Sequence, residues 1–140
     1  MNKFQVDSPV KIMTSKNKKG VEKFFDLNIN KYRNLHWSML AKSKKIYGDV
    51  LFQLLAKQDI HLLQLDEIEI TYQMIASNKR KFDTMNIVSI IDKYFQDVMV
   101  GLGIIKDDNY NYVKKITILP VIIDKELPEH ICRITVKEYQ

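Results

Sequence analysis

The feature that most constrains the fold of this chain is a strand pattern followed, after a short basic loop, by a long helix pattern. In residues 66–76 apolar and polar side chains alternate, which predicts a half-buried β-strand. In residues 84–102 apolar side chains recur at three- and four-residue steps, which predicts an amphipathic helix. Gly101 and Gly103 are expected to end that helix. Each element therefore has one face to bury.

The same patterns predict the other elements. A second amphipathic helix is predicted over residues 35–57, with Asn34 as its N-cap and a polar turn at residues 30–34 before it. Residues 1–20 are expected to form a basic N-terminal extension, with an edge strand and a mobile loop at residues 15–20. Further strands are predicted at residues 22–29, 104–109, 115–123 and 131–138.

Length and composition favour one globular domain. The chain has 140 residues, 46% of them hydrophobic and 28% charged, which is enough to bury a core without disulfides. Strands and helices mix without a strict βαβ repeat, so we expect a small single α+β domain, residues 1–140, with a mixed β-sheet and two main amphipathic helices. Cys132 is the only cysteine and no apolar run approaches 18 residues, so we expect a cytoplasmic protein that does not span a membrane.

The charge distribution predicts binding to a polyanion. The formal net charge is +5, and neutralisation of phosphates by Lys and Arg is the sequence-independent part of nucleic-acid affinity. The basic residues form three clusters along the chain: Lys16, Lys18, Lys19 and Lys23; then Lys31, Arg33, Lys42, Lys44 and Lys45; then Lys79, Arg80 and Lys81. The last cluster is predicted to be a loop between the strand and the helix.

Acidic residues flank the predicted helix of residues 84–102. Asp83 comes just before this helix, and the pair Asp107 and Asp108 follows it. Carboxylates that converge beside basic residues can hold Mg²⁺, which activates water and neutralises charge on a phosphodiester. The basic cluster before Asp83 and the helix residue Lys93 would then position the phosphate.

A second interpretation of these acidic residues stays open. The carboxylate of Asp83 can cap the helix by accepting backbone N–H hydrogen bonds. The sequence at residues 107–109 is also typical of a turn. Local pattern does not decide between a metal site and a cap followed by a turn.

Other chemistries have weaker support. His36, His61 and His130 are isolated from one another, without the spacing of a zinc motif. Cys132 alternates with the residues of a predicted strand, which favours a buried thiol over a nucleophile. The sequence has no glycine-rich phosphate-binding loop of the common types, so no nucleotide cofactor is expected.

Taken together, the motifs around the predicted helix resemble the RusA-type Holliday-junction resolvases of prophages and bacteria. The resemblance covers roughly residues 24–113. Its main string is Arg80, Lys81, Asp83, Asn86, Lys93, Asp97, Gly103, Ile104, Ile105, Asp107 and Asp108. A second patch, with Asn30, Tyr32 and Arg33 before His36, Trp37 and the lysines of residues 42–45, looks like the family's entry into a basic first helix.

The resemblance implies a function and a site. Enzymes of this family are homodimers that bind four-way DNA junctions and nick them with Mg²⁺ held by aspartates. It implies catalytic roles for Asp83, Asp108 and Lys93, and metal binding by Asp83, Asp107, Asp108 and Asn86. It assigns DNA binding to the basic residues Lys79, Arg80, Lys81, Arg33, Lys42, Lys44 and Lys45.

One departure from the family pattern concerns the metal-binding motif. The typical motif is Asp-x-Asp-Asn, and Met85 replaces its second aspartate here. Asn86, or less favourably Asp92, would have to help hold the ion. We therefore expect a Mg²⁺-dependent (or Mn²⁺-dependent) endonuclease that resolves four-way or branched DNA in phage or bacterial recombination and repair. The alternative is a degenerate relative that binds branched DNA or a host protein without cleaving.

Overall fold

A computed structural model describes residues 3–140 of the chain. The strands in this part are β1 (Lys3–Pro9), β2 (Lys11–Lys16), β3 (Glu22–Asp26), β4 (Ile68–Ala76), β5 (Val113–Ile118), β6 (Ile122–Ile123) and β7 (Ile131–Glu138). The helices are α1 (Ile29–Arg33), α2 (Trp37–Ala56) and α3 (Thr84–Gly101), with a 3-10 turn at Ile60–Leu62. The α+β class predicted from the sequence is confirmed.

The main sheet is mixed. Its order is β1-β7-β4-β5, and β6 continues beside β4 beyond the end of β5. β7 is antiparallel to both of its neighbours, whereas β5 and β6 run parallel to β4. β2 and β3 form a separate antiparallel hairpin.

The order of β4, α3 and β5 fixes the positions of the candidate site residues between Lys79 and Asp108. β4 buries its alternate residues Ile68, Ile70, Tyr72 and Met74, as the alternating pattern predicts. α3 then carries the chain back, so that β5 starts beside Ile68, at the amino end of β4. The loop of residues 77–83 therefore lies at one end of the sheet, and the loop of residues 102–112 lies at the other.

The core between the sheet and the helices contains two tyrosine hydroxyl groups that are each paired with a serine. The ring of Tyr47 on α2 packs edge-on against Tyr94 on α3, with centroids 5.7 Å apart. The Tyr94 hydroxyl lies 2.8 Å from Ser43 Oγ, and the Tyr47 hydroxyl lies 2.7 Å from Ser8 Oγ. Because these hydrogen bonds satisfy the buried hydroxyls, the two helices and β1 are joined at fixed positions.

The long periodic elements lie where they were predicted, but short ones differ. Residues 30–34 do not form a polar turn, because Ile29–Arg33 is a helix that Asn28 caps at 2.9 Å. Asn34 ends that helix, and the N-cap of α2 is His36. The edge strand expected within residues 1–20 is β1, which pairs along its whole length with β7 at the edge of the main sheet.

The strands predicted at residues 104–109 and 115–123 differ from the structure. Residues 104–109 form bends and no strand, although Ile104 and Ile105 are buried. The strand predicted at 115–123 is two strands, β5 and β6, separated by residues 119–121 with Pro120 at their centre. None of the helices within residues 3–140 has the length and apolar composition that crossing a bilayer requires.

Candidate functional site

The basic loop between β4 and α3 is an exposed, charged feature at the carboxyl end of β4. Lys79, Arg80 and Lys81 are all exposed. None of the ion pairs found in residues 3–140 includes them. Asn78 shapes the loop, because its Oδ1 accepts a hydrogen bond from the Arg80 backbone N–H at 2.8 Å. Three cations are therefore available to an external anion.

His130 anchors this loop to the rest of the protein. Its Nδ1 accepts a hydrogen bond from the Ser77 backbone N–H at 2.9 Å. Its ring also packs against Phe82, with centroids 5.2 Å apart. The two contacts lie at opposite ends of the basic segment, so His130 holds the loop at both ends. The sequence offered no sign of this role, because 53 residues separate Ser77 from His130.

Two surface pockets border the loop. One, of about 600 Å³, is lined by Ala76, Val121, Ile123 and the loop itself. The other has a similar volume of about 600 Å³ and brings Arg80, Lys81 and Phe82 beside Lys11 and Asn28. Since Asn28 caps α1, the second pocket joins the basic loop to the start of the basic helical region.

The second predicted DNA-binding cluster lies on α1 and α2 and is partly neutralised. Lys44 Nζ lies 3.9 Å from Asp97, and Lys45 Nζ lies 3.6 Å from Asp49. Arg33 and Lys42 are exposed and take part in no ion pair within the described residues. The free positive charge here is therefore concentrated near the α1–α2 junction.

Asp83 stands at the N-terminus of α3 but does not cap it with its side chain. It occupies the N-cap position without a side-chain hydrogen bond to the helix backbone. Its Oδ2 instead accepts a hydrogen bond from Asn86 Nδ2 at 3.3 Å. Two of the predicted metal-binding residues are thus in contact, and Met85 beside them is 55% exposed.

Asp107 and Asp108 form an exposed turn at the other end of α3. Asp107 Oδ1 accepts the Asp108 backbone N–H at 2.8 Å, and its Oδ2 accepts Asn109 Nδ2 at 3.0 Å. Partial desolvation, followed by the hydrogen bond and the charge of Asp107, raises the pKa of the Asp108 carboxyl. The charge of Asp97, near the C-terminal end of α3, adds to this increase.

These two acidic groups do not meet within one chain. The 18 residues of α3 separate them, and a helix of that length covers about 27 Å at 1.5 Å per residue. Within residues 3–140, no group of three or more His, Cys, Asp or Glu side chains is placed to hold a metal ion. A single Mg²⁺ ion therefore does not fit Asp83, Asn86, Asp107 and Asp108 of the same chain.

Two further α3 residues considered from the sequence lie away from both ends. Lys93 is exposed, and its Nζ lies 5.8 Å from the centroid of the Tyr32 ring. Lys93 follows Asp83 by ten residues, or about 15 Å of helix. Asp92 is half-buried and accepts hydrogen bonds from Tyr72 and Gln96, so its carboxylate is already engaged.

No protein-family model matches the chain, and no curated protein matches its sequence significantly.

Proposed function

We propose that this protein binds branched DNA, with the basic loop of residues 78–81 as the main contact to phosphates. The observation that carries the proposal is that Lys79, Arg80 and Lys81 are exposed, free of ion pairs and held by an anchored loop. A fixed loop loses little conformational freedom on binding, so more of the electrostatic attraction contributes to affinity. The preference for four-way junctions rests on the RusA-type resemblance.

DNA binding is tested by the salt dependence of affinity. Fluorescence anisotropy with a labelled four-way junction measures Kd over a series of salt concentrations. Replacing Lys79, Arg80 and Lys81 by Ala should weaken binding and lower the slope of log K against log salt by about 2–3. The matched control replaces Lys3, Lys19 and Lys57, exposed lysines away from the loop and from β5, and removes the same charge. Equal losses in both variants, or no binding by the wild type, would contradict the proposal.

For metal-dependent nicking, we propose that a homodimer is required. One chain cannot bring Asp83 to Asp107 and Asp108, so an ion held by both groups would have to lie between two chains. β5 is an edge strand, and an edge strand can pair with a second copy about a two-fold axis. Antiparallel pairing of two β5 edges would place the acidic turn of one copy near the loop of residues 77–83 of the other.

An exposed apolar surface along this edge supports the dimer. The exposed aliphatic residues there are Ile116, Ile118, Leu119, Val121, Ile122 and Ile123, each 37–49% exposed. Ile116 and Ile118 pair in register with Ile70 and Tyr72, so they lie on the face of the sheet that the helices cover elsewhere. A run of large aliphatic side chains of this kind is typical of a surface that a partner buries.

Mixing two inactive variants tests nicking by a shared site. Asp83→Asn and Asp108→Asn should each abolish Mg²⁺-dependent cleavage of a labelled four-way junction. If the site is shared, a mixed dimer of the two variants keeps one intact site, and cleavage returns on mixing. If each site belongs to one chain, mixing restores nothing. Light scattering on the same samples, with Ile118→Lys as the dimer-breaking control, reports the oligomeric state.

The second candidate function is binding without cleavage. Met85, where the family pattern has an aspartate, and the lack of a three-carboxylate group in residues 3–140 favour it. It predicts junction binding with the salt dependence given above and no cleavage in Mg²⁺ or Mn²⁺ by the wild type or by the mixture. Any metal-dependent nicking that Asp83→Asn removes would exclude it.

A further inference from the structure

The chain's one tryptophan lies on the surface at the junction of α1 and α2. Trp37 is the first residue of α2 and is 74% exposed. Burial of an indole ring would stabilise the fold much more than burial of a small side chain. Because Trp37 is mostly exposed, it contributes little of this stabilisation to the core. Such an exposed aromatic side chain is available to an external ring.

The surroundings of Trp37 hold its backbone in place. His36 caps α2, because its Nδ1 accepts the Ser38 backbone N–H at 3.2 Å. The Ser38 hydroxyl also lies 2.8 Å from the same nitrogen. The rings of His36 and Trp37 have centroids 5.4 Å apart and are inclined by 38°. The indole therefore projects from an ordered helix start and has an aromatic neighbour.

The sequence around Trp37 is basic, although two of its lysines, Lys44 and Lys45, pair with Asp97 and Asp49. Residues 27–48 contain five basic residues, Lys31, Arg33, Lys42, Lys44 and Lys45, and no acidic residue. Lys31 and Arg33 are exposed in the last turn of α1 and join no ion pair within the described residues. An exposed aromatic ring flanked by free cations is the arrangement with which proteins bind single-stranded nucleic acid.

This patch continues from the basic loop. The pocket beside Arg80 and Lys81 reaches Asn28, the N-cap of α1. The five residues of α1 add about 7.5 Å at 1.5 Å per residue. A DNA strand whose phosphates contact the loop can therefore reach α1 and Trp37 along this pocket, which Asp26 and Glu129 also line; the Glu129 carboxylate lies 3.9 Å from Lys11 Nζ.

We propose that Trp37 stacks on an unpaired DNA base, while Lys31 and Arg33 contact the phosphates on either side of it. The inference rests on the proposed DNA binding. It adds that the Trp37 ring distinguishes DNA with unpaired bases from fully paired duplex. A base inside a paired duplex is already stacked on both faces, whereas an unpaired base at a branch or in a single strand has a free face. Affinity for DNA with unpaired bases should therefore exceed affinity for blunt duplex of equal length.

The uniqueness of Trp37 makes the test direct, because its fluorescence reports on this site alone. Titration with single-stranded DNA, or with a branched DNA carrying unpaired bases, should quench the emission, and blunt duplex should quench it much less. Trp37→Ala should weaken binding to the unpaired substrates about tenfold or more and leave duplex affinity nearly unchanged. Trp37→Phe, which keeps an aromatic ring, should recover part of the loss.

A second exposed aromatic residue serves as the matched control. Tyr139 is 42% exposed just after β7, where its backbone N–H donates to the Glu67 carbonyl before β4, and Tyr139→Ala should leave binding unchanged. If Trp37→Ala binds every DNA like the wild type while the Lys79, Arg80 and Lys81 variant loses affinity, DNA binding stands and the stacking inference fails. If Trp37→Ala instead changes the oligomeric state, and if the tryptophan emission depends on protein concentration but not on added DNA, the ring contacts another chain. That result would overturn the inference.

Discussion

At the scale of single residues, Asp92 shows how a carboxylate can be committed to structure. It accepts hydrogen bonds from the buried Tyr72 hydroxyl and from Gln96 Nε2, the second at 2.7 Å. Burial first, and then the charge of Asp92, raises the pKa of the Tyr72 hydroxyl well above its ordinary value. The tyrosine therefore stays protonated and donates to Asp92, which joins α3 to β4.

Removing this acceptor should destabilise the protein. In Asp92→Leu the Tyr72 hydroxyl stays buried without a partner, and we expect a loss of about 1–3 kcal/mol in the free energy of unfolding. Asp92→Asn keeps an acceptor oxygen and should lose less. Urea unfolding followed by circular dichroism measures both, with the exposed Asp97→Leu on the same helix as control. Equal stability of Asp92→Leu and the wild type would contradict the structural role.

At the scale of secondary-structure elements, the basic loop depends on His130 for its shape. His130→Ala removes the acceptor for the Ser77 N–H and the ring that packs on Phe82, so the loop should lose its fixed conformation. We expect DNA affinity to fall severalfold with little change in the core. His130→Asn, whose Oδ1 can replace Nδ1 as acceptor, should restore part of it. If His130→Ala binds as the wild type does, the anchor is irrelevant to DNA binding.

The length and periodicity of each element decided whether the sequence could predict it. β4, α2 and α3 are long and periodic, so their patterns located them to within a few residues. α1 has five residues, which is too short for a helical period to appear. The apolar pair Ile104 and Ile105 suggested a strand because burial alone does not distinguish a strand from a buried bend.

The candidate site was harder to predict than its elements. The residues of the basic loop were identified from charge alone, and the structure places them together and exposed. The separation of Asp83 from Asp108 depends on how α3 crosses between β4 and β5, which no local pattern reports. His130 reaches the loop only because β7 lies beside β4 in the folded chain.

At the scale of the whole molecule, buried ionisable groups predict loss of stability at alkaline pH. Burial raises the pKa of the Cys132 thiol from 9.0 to about 12, and burial also raises the pKa values of Tyr47 and Tyr72. The folded state keeps these protons at a pH where the unfolded chain releases them. Their contribution to stability is therefore complete below about pH 9 and declines as the pH rises toward 12.

Thermal unfolding between pH 7 and 11 checks this prediction. Tm should be nearly constant up to about pH 9 and then fall. Cys132→Ala should delay the start of the decline to about pH 10, where the two tyrosines begin to titrate in the unfolded chain. A Tm that rises above pH 9, or a decline unaffected by Cys132→Ala, would show that these groups do not control alkaline stability.

The central place of β7 also governs when the sheet can form. β7 lies between β1 and β4 and pairs with both, yet it follows every other described strand in the sequence. Until it is present, β1 has no neighbour in the main sheet, and its pairing with β7 joins residues as distant in sequence as Lys3 and Lys137. Contacts of such sequence separation slow folding. β1 therefore stays unpaired in any folding intermediate that lacks β7.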